Sequence, residues 1–442
     1  MVSSSSSEPV SGVMRSGAIP VRPGVVRGTL RVPPSKSVSH RQLALAMLAG
    51  GPVEVRHPLE AEDIDLFLGV LRGIGWHVEV GGESVTLTPG TLRGSATLEC
   101  GNAGTLLRFL VALVATVPGR WTLDGTPRLR ERPVGPLVDA LRPLGVGVTW
   151  RGAPGHPPLT IDGGSFAGGE TTVDAGESSQ YLSALLLAAL GGPRPTRIRV
   201  AALTSAPYVE VTLRLVAQWG GRVERLGDGY LVSPGLTRRQ VVEVEGDYSA
   251  AAYPAAAAAL TGGDVALEGL APDSAQGDRA FLDLLATMGA RVSWESGALR
   301  VTGSGALVAV DADLAAMPDQ VPTLAALAPF ARGVTRIRNV PHLRIKESDR
   351  LAAMASELRR AGAEVEELAD GLVIPGLWAD ASPDALPRTP VVIETYGDHR
   401  IAMSMALVGL RRPGLAVAEP EVVGKSYPAF WRDLEALGEG GR

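Results

Sequence analysis

The sequence predicts an α/β protein of two similar domains, each built from three copies of one unit. Two series of helix signals, with strand signals between them, carry this reading. In the first series a segment Φ-x-x-Φ-Gly, Φ being apolar, recurs six times, at 71–75, 141–145, 216–220, 285–289, 358–362 and 434–438. The copies lie roughly 70 to 76 residues apart, a period long enough for a complete supersecondary unit. Each closes a stretch with apolar residues at i, i+3 and i+4, as in 280–289, and the glycine suits a left-handed helix cap.

The second series comprises helices predicted to start at 37–41, 102–108, 177–180, 247–249, 318–321 and 398–400. Each start runs into Ala/Leu-rich sequence that ends near glycine. A stretch as apolar all round as 250–260 should be deeply buried. After five of the six glycine endings, alternating segments such as 223–226 and 230–233 read as short strands. The unit is therefore βαβαββ, an alternation that places helices against sheets.

At 442 residues and 45% hydrophobic composition, the chain can bury more than one core. A formal charge of −5 argues against nucleic acid or an anionic membrane as partner, so an anion site must be built locally. The lone Cys100 cannot form an internal disulfide, and the six histidines lack paired metal-ligand spacing. No structural zinc is expected. The serine-rich start lacks the apolar core of a signal peptide and no apolar run is long enough for a bilayer, so a flexible tail over 1–16 and a cytoplasmic location are expected.

Of 42 basic residues only three are lysines, Lys36, Lys346 and Lys425. A chain that uses arginine for nearly every cation keeps lysine where a compact ammonium matters. Cations also gather where they are unfavourable. Lys36, Arg41, Arg108, Arg132, Lys346, Arg350, Arg400 and Lys425 lie within about a turn of predicted helix beginnings, at the positive end of the helix dipole. An anion among them reverses that cost, and no Walker loop is present to supply an alternative phosphate cradle. The ligand should carry more than one anionic group. Taken singly, Ser178 with Ser179, Asp247 with Ser249, Asp319 and Asp398 read as plain N-caps, and 344–350 as a surface ion-pair network. Their recurrence at equivalent places in the repeats favours a site.

Seven stretches resemble the 5-enolpyruvylshikimate-3-phosphate synthase family, in that family's order. They are Pro-Ser-Lys-Ser-Val-Ser-His-Arg (34–41), Gly-Asn-Ala-Gly-Thr-Leu-Leu-Arg (101–108), Arg-Glu-Arg-Pro (130–133), Glu-Ser-Ser-Gln-Tyr-Leu (177–182), Glu-Gly-Asp-Tyr-Ser-Ala-Ala (245–251), Arg-Ile-Lys-Glu-Ser-Asp-Arg (344–350) and Tyr-Gly-Asp-His-Arg (396–400). The resemblance implies an enolpyruvyltransferase-like, inside-out α/β barrel arrangement with the active site between two domains. One domain would be discontinuous, 17–34 with 246–442, and the other would span 35–245. It further implies a monomer that needs no metal or organic cofactor and whose partners are two small molecules, phosphoenolpyruvate and shikimate-3-phosphate. The enolpyruvyl group would pass to the 5-hydroxyl of shikimate-3-phosphate through a tetrahedral intermediate.

By motif, the phosphoenolpyruvate site would comprise Lys36, Gly104, Arg132, Gln180, Arg350, Arg400 and Lys425. The shikimate-3-phosphate site would comprise Lys36, Ser37, Arg41, Ser178, Ser179, Gln180, Ser205, Tyr208, Asp319 and Lys346. Asp319 is the implied base for the alcohol, and Glu347 and Lys36 are the candidates for proton exchange at the methylene carbon. An open form that closes on substrate is expected. Two departures from the family stand out: His342 where asparagine is frequent, and Phe109 where proline is frequent, beside the turn that would meet phosphoenolpyruvate and the inhibitor glyphosate. Two rivals share part of this pattern. A UDP-N-acetylglucosamine enolpyruvyltransferase would carry a reactive cysteine in the loop at 126–135, which has none, and Cys100 reads as a packed apolar residue. A non-catalytic phosphometabolite-binding protein has no reason to place Asp319 and Glu347 among the cations.

Overall fold

The protein is described here by a computed structural model covering residues 17–237, 239–382 and 385–439. The serine-rich segment 1–16 lies outside the described residues. In chain order the α-helices are α1 (Lys36–Ala49), α2 (Glu62–Ile74), α3 (Gly104–Leu113), α4 (Pro127–Arg130), α5 (Gly135–Leu141), α6 (Ser179–Leu190), α7 (Pro207–Gln218), α8 (Tyr248–Thr261), α9 (Phe281–Thr287), α10 (Val321–Leu327), α11 (Arg350–Arg360), α12 (His399–Gly409) and α13 (Phe430–Glu439).

Six of these, α1, α3, α6, α8, α10 and α12, are buried along nearly their whole lengths. They are the Ala/Leu-rich helices of the second series, and each begins within the predicted start or, for α1, one residue before it. Their apolar residues face every direction because each is surrounded by other helices and by a sheet. In α8 the run Ala255–Ala259 is fully buried, small side chains letting neighbouring elements approach closely.

The outer helices end at the repeated segment. Gly75, Gly145, Gly220, Gly289 and Gly362 all adopt positive φ, between 69° and 123°, the backbone that a side chain resists. The sixth copy departs from expectation: α13 runs through Gly438 to Glu439, so that glycine is helical.

The sheets lie outside the buried helices. One unit shows the pattern: Gly169–Ala175 pairs parallel with Thr196–Leu203, which pairs antiparallel with Gly229–Ser233, itself hairpin-paired with Arg222–Leu226. Five four-stranded sheets share this order, the sixth unit has the N-terminal strand Ile19–Pro20 beside Leu415–Val417 in place of the hairpin, and Leu307–Val308 pairs with Ala331–Arg332 in a small two-stranded sheet. Two sheets exchange their first strands. Arg27–Arg31 joins Asp264–Glu268, and Val241–Glu243 joins Val53–Arg56. The two chain crossings this requires run side by side, with Ser35 N–H donating to Glu245 O at 2.8 Å and Asp247 N–H to Pro33 O at 2.9 Å. Buried apolar side chains form two cores, one drawn from Val38 to Val244 and one from Val21 to Val32 with Tyr248 to Leu437. Cys100 is fully buried in the first. Among the described residues no helix is long and apolar enough to cross a membrane.

Candidate active site

The starts of α1, α6, α8, α11 and α12 and the 3₁₀ turn Pro318–Gln320 converge on one cleft between the two cores. Of the substrate-site and proton-transfer residues implied by the motifs, all but Gly104 and Lys425 line it. Those two stand immediately behind. A Cβ on Gly104 would lie 2.5 Å from the Arg132 guanidinium carbon, so the missing side chain is the space Arg132 occupies. Lys425 Nζ donates to Asn102 O at 2.9 Å and lies 3.5 Å from Asp63 Oδ1.

Each of the two nominated carboxylates sits between cations. Asp319 accepts from Arg350 Nη1 at 2.9 Å and from Arg400 Nη2 at 2.6 Å. Glu347 accepts from Arg350 Nη2 at 2.9 Å and lies 3.7 Å from Arg132 Nη1. Burial opposes ionisation of both, but Arg400 and Arg350 hold Asp319 below the usual carboxylate range, and Arg132 and Arg350 do so for Glu347. Asp319 is therefore not the N-cap it could be taken for singly, since its turn has no side-chain cap and its oxygens face guanidinium groups. Ser178, Asp247 and Asp398 do cap their helices. Asp398, wholly buried, also accepts from Arg350 Nε at 2.8 Å and from Ser348 Oγ at 3.0 Å, fixing the guanidinium from behind.

The polar wall opposite is equally ordered. Arg108 donates to Gln180 Oε1 at 2.7 Å and Gln180 donates to Thr105 Oγ1 at 2.8 Å, so Arg108 orients a lining residue and does not itself line the cleft. Arg41 donates to Thr212 Oγ1 at 2.7 Å, Ser37 O at 2.8 Å and Tyr208 O at 3.0 Å, with its guanidinium carbon 5.2 Å from the centroid of the buried Phe109 ring. The departure at Phe109 thus supplies an aromatic face to a site arginine. His342 Nε2 lies 3.5 Å from Ser205 Oγ, and burial lowers the imidazole to about 4, which leaves it neutral. Burial likewise lowers the Lys346 ammonium to about 8. Segment 344–350 divides: Arg344 pairs with Asp349 and Glu367, each at 2.9 Å, in a partly exposed network, while Arg350 enters the cleft.

Among the groups that sequence reasoning missed are Asp63 and Arg128. Asp63, at the start of α2, is buried with Oδ2 3.2 Å from Lys36 Nζ. Burial raises its pKa, but Lys36 and Lys425 outweigh that and lower it. An acidic first helical turn is so ordinary that nothing marked Asp63 out. Arg128 of α4 donates to Lys346 O at 2.9 Å and Glu347 O at 3.2 Å, clamping one half onto the other. Its neighbours Arg130 and Arg132 are spaced no differently, so position alone does not distinguish it. With Tyr208 Oη within hydrogen-bond reach of Asp319 Oδ2 at 3.1 Å as well, the arrangement is closed rather than the open form expected.

Cations and ionised carboxylates at converging helix starts, between two halves built from the same unit, define a small-polyanion-binding protein equipped for proton transfer. Comparison with known proteins narrows the class. The profile of EPSP synthase (3-phosphoshikimate 1-carboxyvinyltransferase) matches residues 21–434, and the chain belongs to that family. The 3-phosphoshikimate 1-carboxyvinyltransferase of Syntrophobacter fumaroxidans is 45% identical over 436 residues, covering 97% of this chain and 98% of that protein. That of Methanoculleus marisnigri is 41% identical over 424 residues, covering 94% and 98%. The solved EPSP synthase of Acinetobacter baumannii superposes with a TM-score of 0.77 at 28% identity, covering 95% of this chain and 98% of that one.

Proposed function

We infer that the chain transfers the 1-carboxyvinyl group of phosphoenolpyruvate to the 5-hydroxyl of shikimate-3-phosphate, releasing phosphate, as a step of the shikimate pathway. Family membership favours this acceptor over UDP-N-acetylglucosamine. The observation that carries the chemistry is the pair Asp319 and Glu347, each held ionised between arginines in a cleft otherwise suited to anions. A protein that only bound polyanions would gain from removing both.

Lys36, Ser37, Arg41, Ser178, Ser179, Gln180, Ser205, Tyr208, Asp319 and Lys346 are proposed to hold shikimate-3-phosphate. Lys36, Gly104, Arg132, Gln180, Arg350, Arg400 and Lys425 are proposed to shape the phosphoenolpyruvate site. Entering phosphate and carboxylate groups take over the guanidinium donors now directed at Asp319 and Glu347, which makes both carboxylates more basic when substrate is present. Asp319 then takes the 5-hydroxyl proton as the oxygen bonds to C2 of phosphoenolpyruvate, and Glu347 or Lys36 delivers a proton to C3. Loss of a C3 proton from the tetrahedral adduct breaks the C2–O bond to phosphate. The arginines carry charge that persists throughout and orient the adduct. The reading includes a cytoplasmic monomer whose two bodies, 17–34 with 246–442 and 35–245, close on substrate.

The test is phosphate release with phosphoenolpyruvate and each acceptor. Release is expected only with shikimate-3-phosphate. Release with UDP-N-acetylglucosamine would assign the other transferase, and binding of both ligands without turnover would leave a binding protein.

A further inference from the structure

Beside the cleft, outside its lining, lies a carboxyl group that the reaction above does not use. Asp278, in the 3₁₀ turn Gly277–Ala280, is 3% exposed. Among the described residues it makes no ion pair, and its Oδ1 has no hydrogen-bond partner. Its Oδ2 lies 3.2 Å from Tyr208 Oη and accepts from Ser249 Oγ. Tyr208 Oη stands between two carboxyls, since Asp319 Oδ2 is 3.1 Å away on its other side. A phenol has one proton and can donate to only one of them.

We propose that Asp278 is a positioning residue that decides, through the Tyr208 hydroxyl, whether Asp319 is free to accept a proton. The proposal rests on Asp319 being the base of the reaction inferred above. A neutral Asp278 donates its own proton to Tyr208 Oη, and the phenol proton is then directed at Asp319, where it occupies a lone pair and stabilises the charge. An ionised Asp278 draws the phenol proton to itself. Asp319 loses that bond and gains a like-charged neighbour, and both changes raise its basicity.

The groups facing Asp278 hold its proton to higher pH than an ordinary aspartate would. Tyr208 comes from α7, Asp247 and Ser249 from the start of α8, Asp319 from its 3₁₀ turn and Arg400 from α12. Burial, followed by the Asp319 carboxylate, pushes Asp278 up to about 6, with Arg400 opposing. The sign follows. The folded state holds this proton to higher pH than the unfolded chain, so stability falls as pH rises from about 4 through about 6 while the base is freed.

The experiment is the pH profile of kcat/KM for shikimate-3-phosphate between about pH 5 and 9 in the wild type, Asp278→Asn and Tyr208→Phe, with thermal melts over the same range. The wild type should show an acid limb near pH 6. Asp278→Asn, fixed in the donating form, should lose that limb and lower plateau kcat about tenfold, with KM for phosphoenolpyruvate within about twofold. Its melting temperature should no longer fall between about pH 4 and 6. An Asp278→Asn profile that superimposes on the wild type overturns the proposal. Should that variant not fold, Tyr208→Phe decides: the link is cut, so persistence of the limb near pH 6 overturns it and loss supports it. A wild type without turnover sinks the reaction itself, a result distinct from either.

Discussion

Lys36 occupies the first position of α1 with its ammonium 3.2 Å from Asp63, while Asp247 Oδ2 accepts from its backbone N–H at 3.0 Å. Both ends of the residue are thus fixed, and a planar guanidinium would present its charge in a different geometry and would not give up a proton as an ammonium can. Lys36→Arg keeps the charge and is expected to lower kcat at least about 100-fold with the fold unchanged by circular dichroism. Near-normal turnover would show that charge alone is needed there. Lys346 gives a pH signature. Its ammonium, lowered to about 8 by burial, is charged below that pH and neutral above it, so kcat/KM for shikimate-3-phosphate should fall as pH rises through about 8. In Lys346→Arg the fall should move to higher pH, because guanidinium does not titrate in that range. Lysine scarcity identified these positions from composition, but only the coordinates assign each lysine its neighbours. Asp63 was illegible because its role depends on Lys36 and Lys425, which lie on other elements.

Among the elements, α12 shows how one cap serves both the fold and the site. Asp398 accepts from Arg400 N–H at 3.0 Å and from Arg350 Nε at 2.8 Å, so it caps the start of one helix and anchors the first residue of another. Asp398→Ala leaves a buried guanidinium short of its partner and is expected to cost about 3–5 kcal/mol, read as a lower urea midpoint. A midpoint unchanged within error would mean that Asp319 and Glu347 suffice to hold Arg350. Helix starts and five of the six glycine endings were legible because caps and left-handed turns are local requirements. The sixth ending was misread for a physical reason. The other glycines turn the chain into a strand hairpin, whereas no strand follows α13 among the described residues, so nothing there demands a positive φ.

At the level of the whole molecule, the two cores meet across the cleft, and Arg128 supplies two of the hydrogen bonds between them. Arg128→Ala should leave both cores intact, with a melting temperature close to the wild type, while kcat/KM falls about tenfold or more through loss of closure. Small-angle scattering should show a larger radius of gyration for the variant, and an unchanged radius would assign closure to other contacts. The sequence by itself determined the α/β class, the sixfold unit, the helix starts and the family motifs, because each is written in short-range periodicity and local capping chemistry. The tertiary structure decided what surrounds each charge: that Asp319 faces two arginines instead of capping its turn, that Asp63 joins Lys36 and Lys425, and that Asp278 reaches Asp319 through Tyr208. Those contacts join residues far apart in sequence, and in a buried cleft the partner, far more than the residue type, sets where charge and protons reside.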